Sequence, residues 1–327
     1  MFGNRSELQN YVQKLFIQKE FAISQCDLKS TCFDFLARKD VILWLIKVLI
    51  NIDSLQQYHA DELKLLGNLF SGTPLLVGEK THREPLEDGV VYKRYSVPAV
   101  NPPTFRSILF HEFLPKVFAQ RGGLYARILG ETLRERREEV NLSRAQLAEK
   151  VGVSERCIYE YERGTMDASK ENLLRLEKIL NTDLSLPIDL LEYDFGNIKQ
   201  HSPAKIDDFE QIIQEKLIGM GFEVFWTECT PFDAVTKEKE KETETENEAT
   251  TLIIAGVGHK SEKNIKKRVQ ITGSISDITR KIAMFVLEGS STRNIEGVPI
   301  MRLKELSKFE TPNELKRTIK KRKGSSS

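Results

Sequence analysis

The same order of hydrophobic signals occurs twice along this chain, and an internal repeat restricts the architecture more than any single motif does. The first copy opens with a helical pattern at residues 8–16, continues through Phe21, Ala22 and Ile23, and reaches Thr31-Cys32-Phe33-Asp34. The second opens at residues 209–217, continues through Phe222, Glu223 and Val224, and reaches Thr230-Pro231-Phe232-Asp233. An apolar strand-like run follows each aspartate, residues 41–50 (VILWLIKVLI) in one copy and 252–257 (LIIAGV) in the other. Each copy then has a polar stretch with helical spacing, a buried-strand pattern (PLLVGE at 74–79, AMFVLE at 283–288) and a short segment around Val97-Pro98 or Val298-Pro299. The shared order is helix, strand, strand, helix, strand, strand. Strands apolar on both faces, with a helix between the second and third, predict a mixed sheet covered by helices. The copies differ mainly by an acidic insertion at residues 237–248 (KEKEKETETENE), expected to be a solvated hairpin tip or disordered loop.

Between the copies, from about Leu124, the periodicity becomes purely helical. Leu133, Arg137 and Val140 share one face of a first helix, and Asn141-Leu142 provides the break. Ser143 and Gln146 have the spacing of a capping box, which satisfies the first free backbone groups of a second helix carrying Leu147, Ala148 and Val151 inward. Gly152 stands at the tight turn, where positive φ is cheap only for glycine, and Ser154 can cap a third helix held by Ile158 and Tyr161, with Glu162 beside them. Asp167 or Ser169 starts a fourth helix. Two short helices joined through a glycine turn make a helix-turn-helix, whose second helix can enter a major groove.

Leu147-Ala148-Glu149-Lys150-Val151-Gly152-Val153-Ser154, followed by Ile158 and Tyr161-Glu162-Arg163-Gly164, resembles the DNA-binding domain of the lambda-repressor/Cro type. Further segments, NIDSL at 51–55, LEDGVVY at 86–92, GGLY at 122–125, MDAS at 166–169 and PFDAV at 231–235, are similar to an archaeal family of helix-turn-helix transcriptional regulatory proteins. That resemblance implies an archaeal cytoplasmic source and a central helix-turn-helix flanked by two segments. The expected fold is therefore multidomain, α/β plus all-α. Two related restriction-endonuclease-like α/β domains, at 1–120 and 205–310, flank a helical domain at 124–195, and a basic tail at 311–327 is expected to be disordered.

By resemblance to the repressor domains, the DNA-facing residues are Ser154, Glu155, Arg156, Tyr159 and Glu160, with Cys157 alongside. Arginine can bind guanine through two hydrogen bonds and glutamate can accept from cytosine N4. Ser143 and Arg144 at the start of the second helix, Arg163 at the end of the third and Lys170 beyond it are phosphate candidates. The span 129–181 nevertheless carries ten basic and eleven acidic residues, so this domain alone should bind DNA weakly. Lys263, Lys266, Lys267 and Arg268, with Lys260, and the KRTIKKRK run at 316–323 offer further positive charge.

The repeat's order also resembles restriction-endonuclease-like nucleases, where an Asp before one strand and a Glu-x-Lys on the next collect a divalent metal. Asp34 and Lys47 fit that outline, but Leu45 stands where the second carboxylate belongs; beside Asp233 the corresponding places hold Ile254 and Gly256. One carboxylate holds magnesium poorly. No catalytic residue, metal site or cofactor is expected unless Glu20 or Glu62 substitutes. The plainer role for Asp34 and Asp233 is bonding their own turns, and a third reading keeps both copies as degenerate domains for DNA shape, dimerisation or ligand sensing.

A net charge of +1, from 49 basic and 48 acidic residues, excludes a uniformly cationic coat, so contacts with DNA must be local. Four scattered cysteines, Cys26, Cys32, Cys157 and Cys229, contain no Cys-x-x-Cys pair, which argues against zinc and a disulfide scaffold. The apolar run at 41–50 is too short to span a bilayer, and the N-terminus lacks a secretory pattern, so a cytoplasmic protein is expected. The leading expectation is a homodimeric, sequence-specific regulator of transcription bound to double-stranded DNA. The alternatives are a metal-dependent DNA nuclease and a protein-interaction scaffold.

Overall fold

The computed structural model describes residues 2–28, 30–196, 206–239, 252–259 and 261–323. The chain opens with α1 (Arg5–Gln18), β1 (Ala22–Gln25), β2 (Phe35–Lys39), β3 (Ile42–Asn51), α2 (Gln57–Phe70), β4 (Thr73–Lys80), β5 (Val90–Arg94) and β6 (Val97–Val100). It continues through α3 (Pro102–His111), β7 (Val117–Gln120) and β8 (Gly123–Ala126) into α4 (Gly130–Glu139), α5 (Arg144–Val151), α6 (Glu155–Glu162), β9 (Ala168–Ser169) and α7 (Lys170–Leu180). The last part holds α8 (Asp208–Gly219), β10 (Phe222–Trp226), β11 (Ala234–Glu238), β12 (Leu252–His259), α9 (Ile265–Thr279), β13 (Ile282–Glu288), β14 (Asn294–Ile295), β15 (Val298–Met301), α10 (Leu303–Leu306) and α11 (Pro312–Lys323).

The repeat reappears as strand pairing. β1 with β2 and β2 with β3 are antiparallel, β4 with β6 is parallel, and β5 with β6 is antiparallel. The second copy has the same series in β10–β11, β11–β12, β13–β15 and β14–β15. Each copy contains two strands beyond those expected: β2 and β5 in the first, β11 and β14 in the second. β2 (FLARK) and β5 (VVYKR) begin apolar and end cationic, so five residues leave no alternation to read. β14 is only two residues long.

Contacts divide the chain into two compact units, and the division cuts through the first copy. One unit holds Met1–Leu15, Leu49–Ser54 and Leu75–Asp194; the other holds Phe16–Val48, Leu55–Pro74 and Phe195–Ser327. The units thus differ from boundaries drawn on the repeat, because the β1–β3 hairpins and α2 pack with the second copy. α9 lies against β1 and β2, and Cys32 N–H donates to the Cys229 carbonyl at 2.9 Å.

In the second copy, Leu217, Phe222, Met284 and Val286 share one core with Leu315 and Ile319 of α11. The expected disordered tail is therefore a docked helix as far as Lys323, its two aliphatic side chains fully buried. Positions 240–248 of the acidic insertion, and Lys260, lie outside the described residues. Trp44 and Trp226 are buried, as expected of core aromatics. Cys26, Cys32 and Cys229 are buried thiols, and burial pushes Cys26 and Cys229 up to about 12.

The helical segment has its own core of Leu133, Leu147, Ala148, Ile158, Tyr161 and Leu176. It is joined to the sheet of its unit: β5 pairs with β7, β7 with β8, and β8 with β9 through Tyr125↔Ser169 and Ala126↔Ala168. The chain leaving α7 returns to α4, where Leu129 N–H donates to the Leu184 carbonyl at 2.8 Å. No helix among the described residues is long and apolar enough to cross a membrane.

Candidate nucleic-acid interface

Short-range bonds shape the turn between α5 and α6. Ser143 Oγ accepts from Gln146 N–H at 3.1 Å while the Gln146 side chain accepts from Ser143 N–H at 2.8 Å, closing the capping box. Gly152 follows at φ +83°, and Ser154 Oγ accepts from Cys157 N–H at 3.2 Å to cap α6. Ser169, rather than Asp167, caps α7. α4 meets the end of α6 so closely that a Cβ on Gly130 would lie 2.3 Å from the Glu162 carbonyl oxygen. A side chain there would push the two helices apart.

This frame presents Glu155, Arg156 and Tyr159 on the open face of α6, with Arg163 at its end. Arg156 is 85% exposed, and its Nε stands 3.8 Å from Glu160 Oε1, one turn further on. Such an exposed pair is worth well under about 1 kcal/mol, so Arg156 can leave it for a base edge. Glu160 is more committed: it is mostly covered and accepts from the Thr165 hydroxyl at 2.5 Å. The Tyr159 ring lies between the guanidinium groups of Arg144 and Arg163, at 5.3 and 5.4 Å, and Arg163 donates to its hydroxyl at 3.4 Å.

Arg144, expected as a phosphate contact, is also engaged within the domain, with its side chain 37% exposed. Its Nε donates to Glu162 Oε2 at 2.6 Å, while Arg137 Nε donates to Glu162 Oε1 at the same distance. Glu162 is buried and so ties α4, α5 and α6 through two arginines; its carboxylate pushes the Arg144 guanidinium up. Arg137 and Glu162 were absent from the expected site. Two opposite charges at inward-facing helical positions, one on α4 and one on α6, were the signal that pairs them.

The aspartate that precedes the hairpin, Asp34 in the first copy and Asp233 in the second, has a different setting in each. Asp34 is buried, accepts from Val48 N–H at 2.7 Å, and has Lys47 Nζ 3.7 Å from its other oxygen; Lys47 also donates to the Thr31 carbonyl. Leu45 is fully buried, opposite Leu36. Asp233 repeats the bond to its strand, accepting from Val257 N–H at 2.6 Å, but its cation is Arg268 from α9, at 2.5 Å. Burial pushes the Asp233 carboxyl up to about 6 against the pull of that guanidinium and the Val257 N–H. The Phe285 ring fills the space beside Gly256, 2.1 Å from where a Cβ would be. Glu20 pairs with Lys39 at the surface, Glu62 accepts from the N–H groups of Glu228 and Cys229, and no group of three or more His, Cys, Asp or Glu among the described residues could hold a metal.

The fold and these two features define a helix-turn-helix protein built onto a nuclease-like α/β scaffold. Residues 5–115 match the PD-(D/E)XK superfamily domain, and residues 133–186 match the helix-turn-helix family. A protein of Pyrococcus furiosus is 34% identical over 322 residues, covering 98% of this chain and 99% of its own length. One from Methanothermobacter thermautotrophicus is 33% identical over 321 residues, covering 98% of this chain and 97% of itself. One from Thermococcus kodakarensis is 32% identical over 323 residues, covering 98% and 96%. All three are named as HTH-type transcriptional regulatory proteins. The chain belongs to this family of archaeal HTH-type transcriptional regulatory proteins. No solved structure matches it.

Proposed function

We propose that the chain is a sequence-specific, DNA-binding regulator of transcription, acting in the cytoplasm and reading duplex DNA with the first turns of α6. The observation that carries this is the capped, rigidly seated α6 with Arg156 almost fully exposed on its outer face. Arg156 and Glu155 are assigned to base edges, and Tyr159 and Glu160 to the groove wall beside them. Ser143, Ser154 and Arg163 are assigned to phosphates, with Arg144 contributing through its stack on Tyr159. Domains of this kind read two half-sites symmetrically, so a homodimer is the working assembly.

Selection of bound duplexes from a random pool, at moderate salt with magnesium present, should enrich a near-palindromic site. Arg156→Ala should weaken binding to that site by about 1–3 kcal/mol and relax the preference at one base pair per half-site. No enrichment would instead favour a protein-interaction scaffold.

The match of residues 5–115 to a nuclease superfamily gives the nuclease alternative its footing. Against it, Asp233 of the second copy already faces Arg268 of the chain itself, whereas Lys47 beside Asp34 is the lysine that the nuclease outline requires. Leu45 and Ile254 occupy the places of the second carboxylate, and the equivalent strand pairing supports both α/β segments being degenerate copies of one nuclease-like domain. The selected DNA should therefore remain uncut in magnesium. Cleavage that disappears in Asp34→Asn would replace the regulator reading with an enzymatic one.

A further inference from the structure

A cavity of about 410 Å³ lies beside the helix-turn-helix, within the same compact unit. Its floor is formed by the C-terminal halves of β5 and β7, which pair in parallel through Val90↔Val117 and Val91↔Phe118. Its other wall is the strap at residues 187–194, which follows the helical domain. The strap is anchored at its start. Leu186 N–H donates to the Arg127 carbonyl at 2.9 Å, Ile188 N–H donates to the Pro115 carbonyl at 2.7 Å, and Leu190 is buried. The volume falls within the range of roughly 300–1,000 Å³ typical of small-molecule sites.

The lining combines three kinds of surface. Phe118, Ile188 and Tyr193 supply apolar and aromatic area; Lys93 and Arg127 supply positive charge; Asp189, Glu192 and Asp194 supply negative charge. The side chains of Lys93, Arg127 and Glu192 make no ion pair or hydrogen bond among the described residues. Two further acids of the lining are already engaged: the Asp189 carboxylate accepts from Leu191 N–H at 2.8 Å, and Asp194 has a partner of its own. A ligand of one sign that covered this lining would leave the opposite charge desolvated and unanswered, which is costly. A ligand with both signs and an apolar arm meets all three surfaces. Arg127 precedes α4 directly, so an occupant would touch the chain entering the helix-turn-helix as well as the strap leaving it.

We infer that this cavity binds a small zwitterion with an apolar side arm, an α-amino acid in chemical class. Its carboxylate faces Arg127 and Lys93, its ammonium group faces Glu192, and its side arm lies against Phe118 and Ile188. The site stands apart from the DNA-binding reading, and its test contains no DNA, so either can fail alone.

The test is calorimetric titration of the full chain with each of the common L-amino acids, followed, for the best of them, by its N-acetyl and amide derivatives. The two derivatives each remove one charge. At least one free amino acid with an apolar or aromatic side chain should bind, and both derivatives should bind at least about tenfold more weakly, a loss of about 1.4 kcal/mol. Arg127→Gln and Glu192→Gln should each cause a similar loss while leaving the thermal unfolding temperature unchanged. Absence of binding by every amino acid at millimolar concentration would overturn the inference, as would equal binding of the derivatives or indifference to both substitutions.

Discussion

Glu162→Ala is expected to lower the unfolding free energy by about 3–5 kcal/mol, the cost of breaking a buried ion pair by removing one partner. The Glu162 side chain is only 3% exposed and accepts from both Arg137, itself 8% exposed, and Arg144. Without it Arg137 keeps its bond to the Leu142 carbonyl and its contact with exposed Glu138, which leaves a buried guanidinium poorly compensated. Glu162→Gln keeps the shape and one acceptor and should fall between. Glu138→Ala, at a side chain 54% exposed, should change stability little. Urea unfolding followed by far-UV circular dichroism is the suitable measurement, because Trp44 and Trp226 both lie in the other compact unit. A loss for Glu162→Ala no larger than that for Glu138→Ala would show that the arginine pair is not desolvated.

Glu62→Ala should be clearly damaging in that other unit. One carboxylate there accepts from two successive N–H groups of the second copy, Glu228 at 2.5 Å and Cys229 at 3.0 Å, and so staples α2 to the loop before Asp233. Hydrogen bonds to a charged acceptor are stronger than neutral ones, and a buried donor left without a partner costs about 1–3 kcal/mol, so a loss of about 2–4 kcal/mol is expected. Glutamine can accept from only one of the two donors and should rescue part of that loss. Tryptophan fluorescence during urea unfolding reports directly on this unit. Glu20→Ala, at a side chain 86% exposed, is the control that should leave the midpoint in place; an unchanged midpoint for Glu62→Ala as well would remove the staple from the account.

The helix-turn-helix was legible in the sequence because its determinants are local. The capping box at Ser143 and Gln146, the positive-φ glycine at 152 and the caps at Ser154 and Ser169 are all present. Each is a bond or dihedral within a few residues of its own position, so spacing alone reveals it. The spacing of Asp34, Leu45 and Lys47 was equally visible, and Asp34 N–H does donate to the Ile46 carbonyl as that register requires. The short strands β2, β5, β11 and β14 were not visible, since hairpin pairing holds them rather than an amphipathic period of their own. α11 was hidden by its charge: Leu315 and Ile319 bury it against a core assembled from residues far earlier in the chain.

The sequence by itself determined the repeat, the helix-turn-helix and the residues offered along α6. Tertiary structure alone decided which charges remain available there. It tied Arg144 to Glu162 and left Arg156 in solvent, and it set Lys47 against one aspartate and Arg268 against the other. Caps and periodicities are satisfied by near neighbours, whereas the partner of a charge, and the solvent it loses, depend on what folds over it from elsewhere in the chain.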